Sequence, residues 1–476
     1  MMDNKIISLI LDTDSYKFSH WKQYPPNTTA MYSYLESRGG KFEKTVFFGL
    51  QYYLKKYLST SIKMSDVFEA KKFADAHGVP FNTDGWKHIV LNHDGYLPVR
   101  IKAVPEGSVI PTSNILLSVE STDPKCFWVV SWIETLLVRL WYPITVATLS
   151  YHCKQAIKYY LDLTADDPNA ELPFKLHDFG SRGVSSQESA MIGGAAHLLN
   201  FMGSDTVAGI WMANEYYDCD MAGFSVPATE HSTMTMWGKD HEVDAYRNML
   251  EQYKDQPIMA VVSDSWDIWH AARALWGGEL RSKVMEYEGT LVVRPDSGDP
   301  PKVVVKLIKL LAARFGSTIN SKGYAVLNNN VRVLQGDGIN IDSLKDILLA
   351  VEVAGYSTTN IAFGMGGGLL QQVNRDTQKF AFKCSWAKVN GESVDVYKDP
   401  VTDKGKRSKR GRLDLGVFPG YPEDAVKTVL EGGCEVSLLQ TVYEDGKILS
   451  SEKFSEVRTR TDSPYGAYKG WTDKSV

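Results

Sequence analysis

The sequence has few cysteines, no long apolar run, no large excess of charge of one sign and no low-complexity linker. Its five cysteines, Cys126, Cys153, Cys219, Cys384 and Cys434, are odd in number and widely spaced, with no CxxC and no His pairing at zinc spacing. That usage argues against a disulfide framework, and a reducing compartment, the cytoplasm, is expected. The apolar run Ile6 to Leu11 is followed at once by Asp12 and Asp14. It is too short for a signal-peptide core or a bilayer span and reads as a first strand. A formal charge of −5 and a pI near 6.1 give no global attraction for nucleic acid or anionic membranes. Any bound anion must therefore be held by a local cluster of cations.

What is present is ordinary core-forming material: 476 residues, 43% hydrophobic and 23% charged, enough for two or three domains. From about Phe174 onward one grammar repeats, a short apolar run ending in polar or Gly residues and then a helix-period stretch. The runs are "FKLHDFGSRG" (174–183), "GSDTVAG" (203–209), "GFSVPATEH" (223–231), "MAVVSDSWD" (259–267), "LVVRPDSGD" (291–299), "VRVLQGDG" (331–338) and "NIAFGMGGG" (360–368). Between them apolar residues recur at three and four, predicting helices over Gln187 to Asn200, Asp244 to Lys254 and Val303 to Arg314. Asp264, Asp296, Asp337 and Gly366 follow one another at roughly 30- to 40-residue intervals, the spacing of βα units in a barrel. A doubly wound open sheet has the same local grammar, but polar residues at the C-terminal end of nearly every strand favour the barrel. Residues 1–145 are different, with aromatic-rich extended runs ("TAMYSYLESR", "TVFFGLQYYL", "GYLPVRIKAVPEGSVIP") that predict an α+β domain. The barrel is expected over 146–376. Strand-like runs return after Asp376 ("KFAFKCSWAKV", "SVDVYKDP"), so 377–476 is expected to pack on the first domain, with "DSPYGAYKGW" as a frayed end.

Several motifs carry chemistry, each with a plainer reading beside it. "VVRPDSGDP" (292–300) runs from a buried strand into Arg294, Pro295, Asp296, Ser297, Gly298 and Asp299. A turn needs the Pro and the Gly but has no use for a guanidinium beside two carboxylates. "FGMGGGLLQQVNRD" (363–376) places four glycines between a strand and a helix, with Arg375 following. Such a loop lets backbone N–H groups approach a phosphate, although it is neither a Walker A loop nor GxGxxG. Asp264, Asp267, Asp296, Asp299 and Asp337 would share one barrel face, where carboxylates hold Mg²⁺ or ribose hydroxyls; singly, each serves equally well as a helix cap. "KDPVTDKGKRSKRGRL" (398–413), with Lys398, Lys404, Lys406, Arg407, Lys409, Arg410 and Arg412, is either a solvated loop or a polyphosphate clamp. His231 and His241 in "ATEHSTMTMWGKDHE" are, taken alone, more often packing residues than catalysts.

In this order, "DTDSYKFSHWKQYPP" (12–26), "HDFGSRGVSSQE" (177–188), "GSDTVAG", "SVPATEHS", "VVSDSWDI", "RPDSG", "QGDG" and "FGMGGGLLQ" make the chain resemble the nicotinamide phosphoribosyltransferases from about residue 10 to 415. The match thins beyond Leu415, and "GGKFEKTVFFGL" after Arg38 lacks an insertion present in some relatives. The resemblance implies an α/β fold: an irregular (β/α) barrel of the type II phosphoribosyltransferase kind, with an α+β domain built from the N-terminal and C-terminal segments. It implies transfer of the phosphoribosyl group of 5-phosphoribosyl 1-diphosphate to nicotinamide in NAD salvage, with Mg²⁺, coupled ATP hydrolysis and a cytoplasmic homodimer with shared active sites, and with neither nucleic acid nor membrane as partner.

Residue by residue, the resemblance implies that Phe179 and the partner subunit's Tyr16 sandwich the pyridine ring beside Arg294, while Asp205 accepts from the carboxamide. Gly366, Gly367 and Arg375 match the 5′-phosphate site, Asp296 with Gly336 and Asp337 the ribose site, and Asp267 with Asp296 the Mg²⁺ region. Arg182 matches the pyrophosphate clamp, joined by three residues from the neighbouring chain that correspond in this sequence to Arg38, Lys383 and Lys398. His231 matches the histidine that ATP phosphorylates, and Lys409 lies where the ATP phosphates are approached. Met365 stands where a small polar residue is common and Ser181 where an aromatic is; neither change removes a charge. A nicotinate phosphoribosyltransferase is the rival enzyme, and its substrate carboxylate would require a cation or neutral donors where Asp205 stands. A catalytically silent binding protein on this fold is the other alternative.

Overall fold

The computed structural model describes residues 7–402, 407–418 and 426–462. Lys404, Lys406 and the expected frayed end beyond residue 462 lie outside the described residues. The chain forms two compact units, one from Leu149–Asn214 with Asp220–Val373, the other from the chain up to Thr148 with Glu215–Cys219 and the chain from Asn374 onward.

In the first of these units, five parallel strands stand in the order Leu176–Asp178, Ile361–Met365, Val331–Gln335, Thr290–Arg294, Ile258–Val262. Isolated parallel bridges complete the ring: Asp178 to Ser204, Gly203 to Phe224, and Ala228 to Ala260. The segments at 203–209 and 223–231, expected as strands, thus contribute single bridges. Residues such as Asp205, Pro227 and Gly223 disfavour a β ladder, and the closing bonds include Ser204 N–H to Phe224 O at 2.9 Å and Ala260 N–H to Pro227 O at 2.9 Å. The result is an irregular barrel whose upper interior is Ala260, Val292 and Leu334, with Phe179, Val226 and Ala362 packed on them. The intervening helices follow the periodicity. Helix Pro300–Phe315 begins on two prolines and buries Val303, Val304, Leu307, Ile308, Leu311 and Phe315. Each such side chain stabilises the fold by about 1.5–3 kcal/mol. Helix Gln187–His197 is capped by Ser186, whose hydroxyl accepts from Ser189 N–H at 3.1 Å, and ends three residues before the expected Asn200.

The other unit is an antiparallel seven-stranded sheet in which Phe380–Val389 pairs with Thr28–Ser37 and Gln440–Glu444 with Val99–Ala103, so N-terminal and C-terminal segments share one sheet. The first strand expected over Ile6 to Leu11 is absent among the described residues. Residues 9–11 form a turn with Leu9 and Ile10 buried, closed by Leu11 N–H to Ser8 O at 2.8 Å. The run "TVFFGLQYYL" is strand only at Lys44–Val46 and becomes helix at Leu50–Tyr53. The switch occurs at Gly49, whose φ of 103° few other residues adopt. Among the described residues no disulfide forms, and no single helix is long and apolar enough to cross a membrane.

Candidate active site

Strand Thr290–Arg294 buries Leu291, Val292 and Val293 and delivers Arg294 to the C-terminal edge of the barrel, where buried Pro295 stiffens the exit. Arg294 Nη2 donates to Asp296 Oδ2 at 3.3 Å, while Arg294 Nε is buried with no protein partner. Two residues beyond the neighbouring strand Ile258–Val262 stands Asp264, whose side chain is 6% exposed. Its Oδ2 accepts from Asp296 N–H at 3.1 Å and from Ser297 Oγ–H at 2.6 Å, and its Oδ1 lies 3.1 Å from His231 Nε2. The other ring nitrogen, His231 Nδ1, stands 4.0 Å from Asp296 Oδ2. Arg294, Asp296, Asp264 and His231 are therefore one connected network, in which the histidine is the most exposed member.

Phe179 forms the adjoining apolar surface. A Cβ on Gly364 would stand 1.9 Å from the Phe179 ring, so only glycine admits the ring there, and a Cβ on Gly336 would stand 3.5 Å from it. Phe179 N–H also bonds Met365 O at 3.0 Å, fixing the ring over two strand ends. The turn holding exposed Arg182 comes against the glycine loop: a Cβ on Gly183 would lie 3.6 Å from Gly367, while Gly367 itself faces open space. On the closing segments, exposed Asp205 accepts from Ser225 Oγ–H through Oδ1. Burial pushes the nearby Asp178 carboxyl up to about 6 and the His177 imidazole down. Asp337 is exposed at the next strand end, where its carbonyl accepts from Gln335 Nε2 at 3.0 Å.

Asp267 is used differently. Its Oδ1 caps helix Ile268–His270, accepting from Trp269 N–H at 2.8 Å and His270 N–H at 3.1 Å, which leaves Oδ2 outside these bonds.

The remaining sequence-predicted residues fall in the α+β unit. Tyr16, Arg38, Arg375, Lys383 and Lys398 line a cavity of about 770 Å³ together with Asp14 and Glu134. Burial, then the neighbouring cations Arg38, Lys398 and Arg375, lower the Lys383 ammonium below its usual range, although Glu134 opposes the shift. Tyr16 is 61% exposed. Arg38 Nε donates to Glu36 Oε1 at 3.0 Å, and its Nη2 is buried with no protein partner. Lys409 donates to the other Glu36 oxygen, and its backbone N–H bonds Tyr34 Oη at 3.0 Å. The rest of the basic stretch is mostly paired with acids: Arg412 with Glu431 and Glu120, Arg407 with Asp399, Arg410 with Asp395. Arg38, Arg375, Lys379, Lys383 and Lys398 line this cavity against Asp14, Glu134 and Asp376, an excess of positive charge that suits a polyanion. Glu36, Glu134 and Ser225 were missed as site residues in the sequence, and Asp264 was read there only as one of the carboxylates on the barrel face, not as the partner of His231. The only signal available was for Asp264, at a strand end homologous in position to Asp296.

With this geometry in place, comparisons with known proteins are informative. Residues 174–447 match the nicotinate phosphoribosyltransferase (NAPRTase) family, and residues 8–101 match the nicotinamide phosphoribosyltransferase N-terminal domain. The chain is 53% identical over 463 residues to a nicotinamide phosphoribosyltransferase of Xanthomonas campestris pv. campestris (strain 8004), covering 96% of this chain and 98% of that protein. It is 31% identical over 498 residues to a nicotinamide phosphoribosyltransferase of Acinetobacter baylyi (strain ATCC 33305 / BD413 / ADP1), covering 96% and 97%. Among solved structures, nicotinate-nucleotide pyrophosphorylase from Pyrococcus furiosus aligns with a TM-score of 0.62 at 16% identity over 98% of both chains. Human nicotinic acid phosphoribosyltransferase aligns at 0.54 and 16%, covering 96% of this chain and 95% of that one. These two likenesses show the fold, a type II phosphoribosyltransferase architecture.

Proposed function

This chain belongs to the nicotinate phosphoribosyltransferase family, as an enzyme of its nicotinamide phosphoribosyltransferase branch, and we propose that it joins nicotinamide to 5-phosphoribosyl 1-diphosphate, giving nicotinamide mononucleotide and pyrophosphate. The observation that carries the choice of nicotinamide is Asp205. Its carboxylate is held through one oxygen by Ser225 and sits on the same segments as the barrel closure beside Phe179, so it offers an acceptor to a carboxamide NH₂ and repels a carboxylate.

The displacement at C1 of the ribose passes through an oxocarbenium-like transition state, for which a protein supplies positioning and charge stabilisation. Phe179 carries one face of the pyridine ring and Arg294 its edge. Asp296 and Asp337 take the ribose hydroxyls, with the Gly336 backbone beside them, and Gly366 and Gly367 offer N–H groups to the 5′-phosphate with Arg375. Arg182 engages the pyrophosphate. The oxygen-only donors at Asp267 and Asp296 suit a hard divalent cation, and Mg²⁺ held there would neutralise charge on the departing pyrophosphate. In the proposed homodimer, Tyr16, Arg38, Lys383 and Lys398 of each chain complete the neighbour's site, in accord with their clustering around one cavity. His231 receives the phosphoryl group of ATP, which Lys409 approaches. With Nε2 directed at Asp264, the lone pair for that attack is on Nδ1. A cytoplasmic setting in NAD salvage fits the reduced cysteines.

Incubating the purified chain with nicotinamide, 5-phosphoribosyl 1-diphosphate and Mg²⁺ should give nicotinamide mononucleotide and pyrophosphate in equal amounts, with ATP raising the yield. Absence of the mononucleotide from folded protein contradicts the reading.

A further inference from the structure

Four side chains with metal-ligating atoms, none of them used above, meet in the α+β unit. His88 lies near the end of helix Thr83–Asn92 and His93 is its C-cap, while Asp123 caps the single turn Pro124–Cys126 and Cys126 ends it. Asp123 Oδ2 lies 2.7 Å from Nε2 of His88 and 2.7 Å from Nε2 of His93. With Cys126 Sγ included, one ligand atom from each of the four residues falls within 4.8 Å of every other. Tetrahedral Zn²⁺ holds N and O donors near 2.0–2.1 Å and thiolate near 2.3 Å, so donor–donor edges are roughly 3.3–3.7 Å. Shifts of about 1 Å or less bring these four atoms to such a tetrahedron.

We propose that His88, His93, Asp123 and Cys126 form a structural Zn²⁺ site that ties helix Thr83–Asn92 to the Pro124–Cys126 turn. Two imidazoles, a carboxylate and a thiol are a borderline-soft donor set that selects Zn²⁺ or Co²⁺ over Mg²⁺ or Ca²⁺. Four protein ligands close the coordination sphere, which makes the site structural. The surroundings are arranged accordingly. Asp123 commits Oδ1 to Lys125 N–H at 2.7 Å, leaving Oδ2 toward the histidines. The side chains of His88, His93 and Asp123 are 20%, 22% and 17% exposed, which gives the ion a way in, while Cys126 is fully buried behind them. Cys126 ligates as the thiolate, so the bound metal replaces the thiol proton. The histidines are a His-x₄-His pair, a zinc spacing that the sequence reading overlooked because the Asp-x₂-Cys half lies about thirty residues further on.

The test uses the untagged full chain, stripped with chelator, dialysed and titrated with Co²⁺ and then Zn²⁺. The expected result is about one equivalent per chain, with tetrahedral d–d bands, a sulfur-to-cobalt charge-transfer band, displacement by Zn²⁺ and release of about one proton. Cys126→Ser should lose the charge-transfer band, and His93→Ala should bind Zn²⁺ at least about tenfold more weakly. Zn²⁺ should raise the thermal midpoint of the parent and leave that of a variant carrying both Cys126→Ser and His93→Ala unmoved. No stoichiometric uptake by the parent, a six-coordinate cobalt spectrum, or parental affinity in His93→Ala overturns the proposal. The parent spectrum decides the matter even where a variant fails to fold.

Discussion

Asp264→Asn separates the chemistry of His231 from its packing. In the parent, Oδ2 of Asp264 accepts two bonds, from Asp296 N–H at 3.1 Å and Ser297 Oγ–H at 2.6 Å, and Oδ1 faces His231 Nε2 at 3.1 Å. An asparagine keeps its carbonyl oxygen on the side with two donors, because the reverse rotamer opposes three donors to one another. The new NH₂ then faces Nε2 and requires it to be the bare nitrogen, so the imidazole proton moves to Nδ1, where Asp296 Oδ2 at 4.0 Å welcomes it. The nitrogen assigned to attack ATP thereby loses its lone pair. Exchanging a charge-assisted hydrogen bond for a neutral one costs about 1 kcal/mol of stability, and the fold survives. Locking a catalytic histidine in the wrong tautomer is a larger effect; a comparable Asp→Asn exchange in serine proteases lowers kcat by about 10⁴. Labelling with γ-³²P ATP and steady-state ATP hydrolysis should fall by about 10²–10⁴, or about 3–5 kcal/mol of barrier, while transfer without ATP persists. Parental ATP hydrolysis by folded Asp264→Asn refutes the tautomer argument and the assignment of His231 with it.

Gly364→Ala places a Cβ about where the Phe179 ring now is, so the ring must move. About 1–3 kcal/mol of stability should be lost, with a raised KM for nicotinamide, and an unchanged KM counts against Phe179 as the ring's platform. Mixing inactive Tyr16→Ala with inactive Asp296→Ala should restore activity through hybrid dimers that contain one intact site, and continued inactivity after verified subunit exchange rejects the shared site. Asp205→Asn should weaken nicotinamide use and shrink the preference over nicotinate, because a neutral amide offers either a donor or an acceptor; an unchanged ratio removes Asp205 from the recognition step.

The barrel strands Ile258–Val262, Thr290–Arg294 and Val331–Gln335 were legible because each buries a short run rich in β-branched residues and then changes character within two or three residues, as Val292 and Val293 do before Arg294. The two closing segments were not, since a single bridge at Ser204 or Ala228 leaves no periodic mark. The misreading at Ile6 to Leu11 has a similar cause: Leu9 and Ile10 are buried by a turn, and burial alone does not distinguish turn from strand. Within the site, Asp264 and Asp267 both follow strand Ile258–Val262, and local sequence ranks them equally. Only pairing with Asp296 and Ser297, some thirty residues away, makes Asp264 the partner of His231, while Asp267 caps a helix. The basic stretch after Lys398 divided in the same way, for the acids that neutralise Arg412 and Lys409 come from distant strands.

The central claim is that the barrel edge selects a carboxamide over a carboxylate. Two unit charges about 4 Å apart at an effective dielectric near 20 repel by roughly 4 kcal/mol. Because Asp205 is exposed, solvent leaves about half of that, to which a lost hydrogen bond adds about 1 kcal/mol. The sum corresponds to a discrimination of about 10² in kcat/KM. Nicotinamide and nicotinate offered together at equal concentration, with limiting 5-phosphoribosyl 1-diphosphate, measure that ratio directly from the two mononucleotides formed. The account predicts nicotinamide mononucleotide in excess by at least about 10²; comparable amounts of the two products, or an excess of nicotinate mononucleotide, would contradict it.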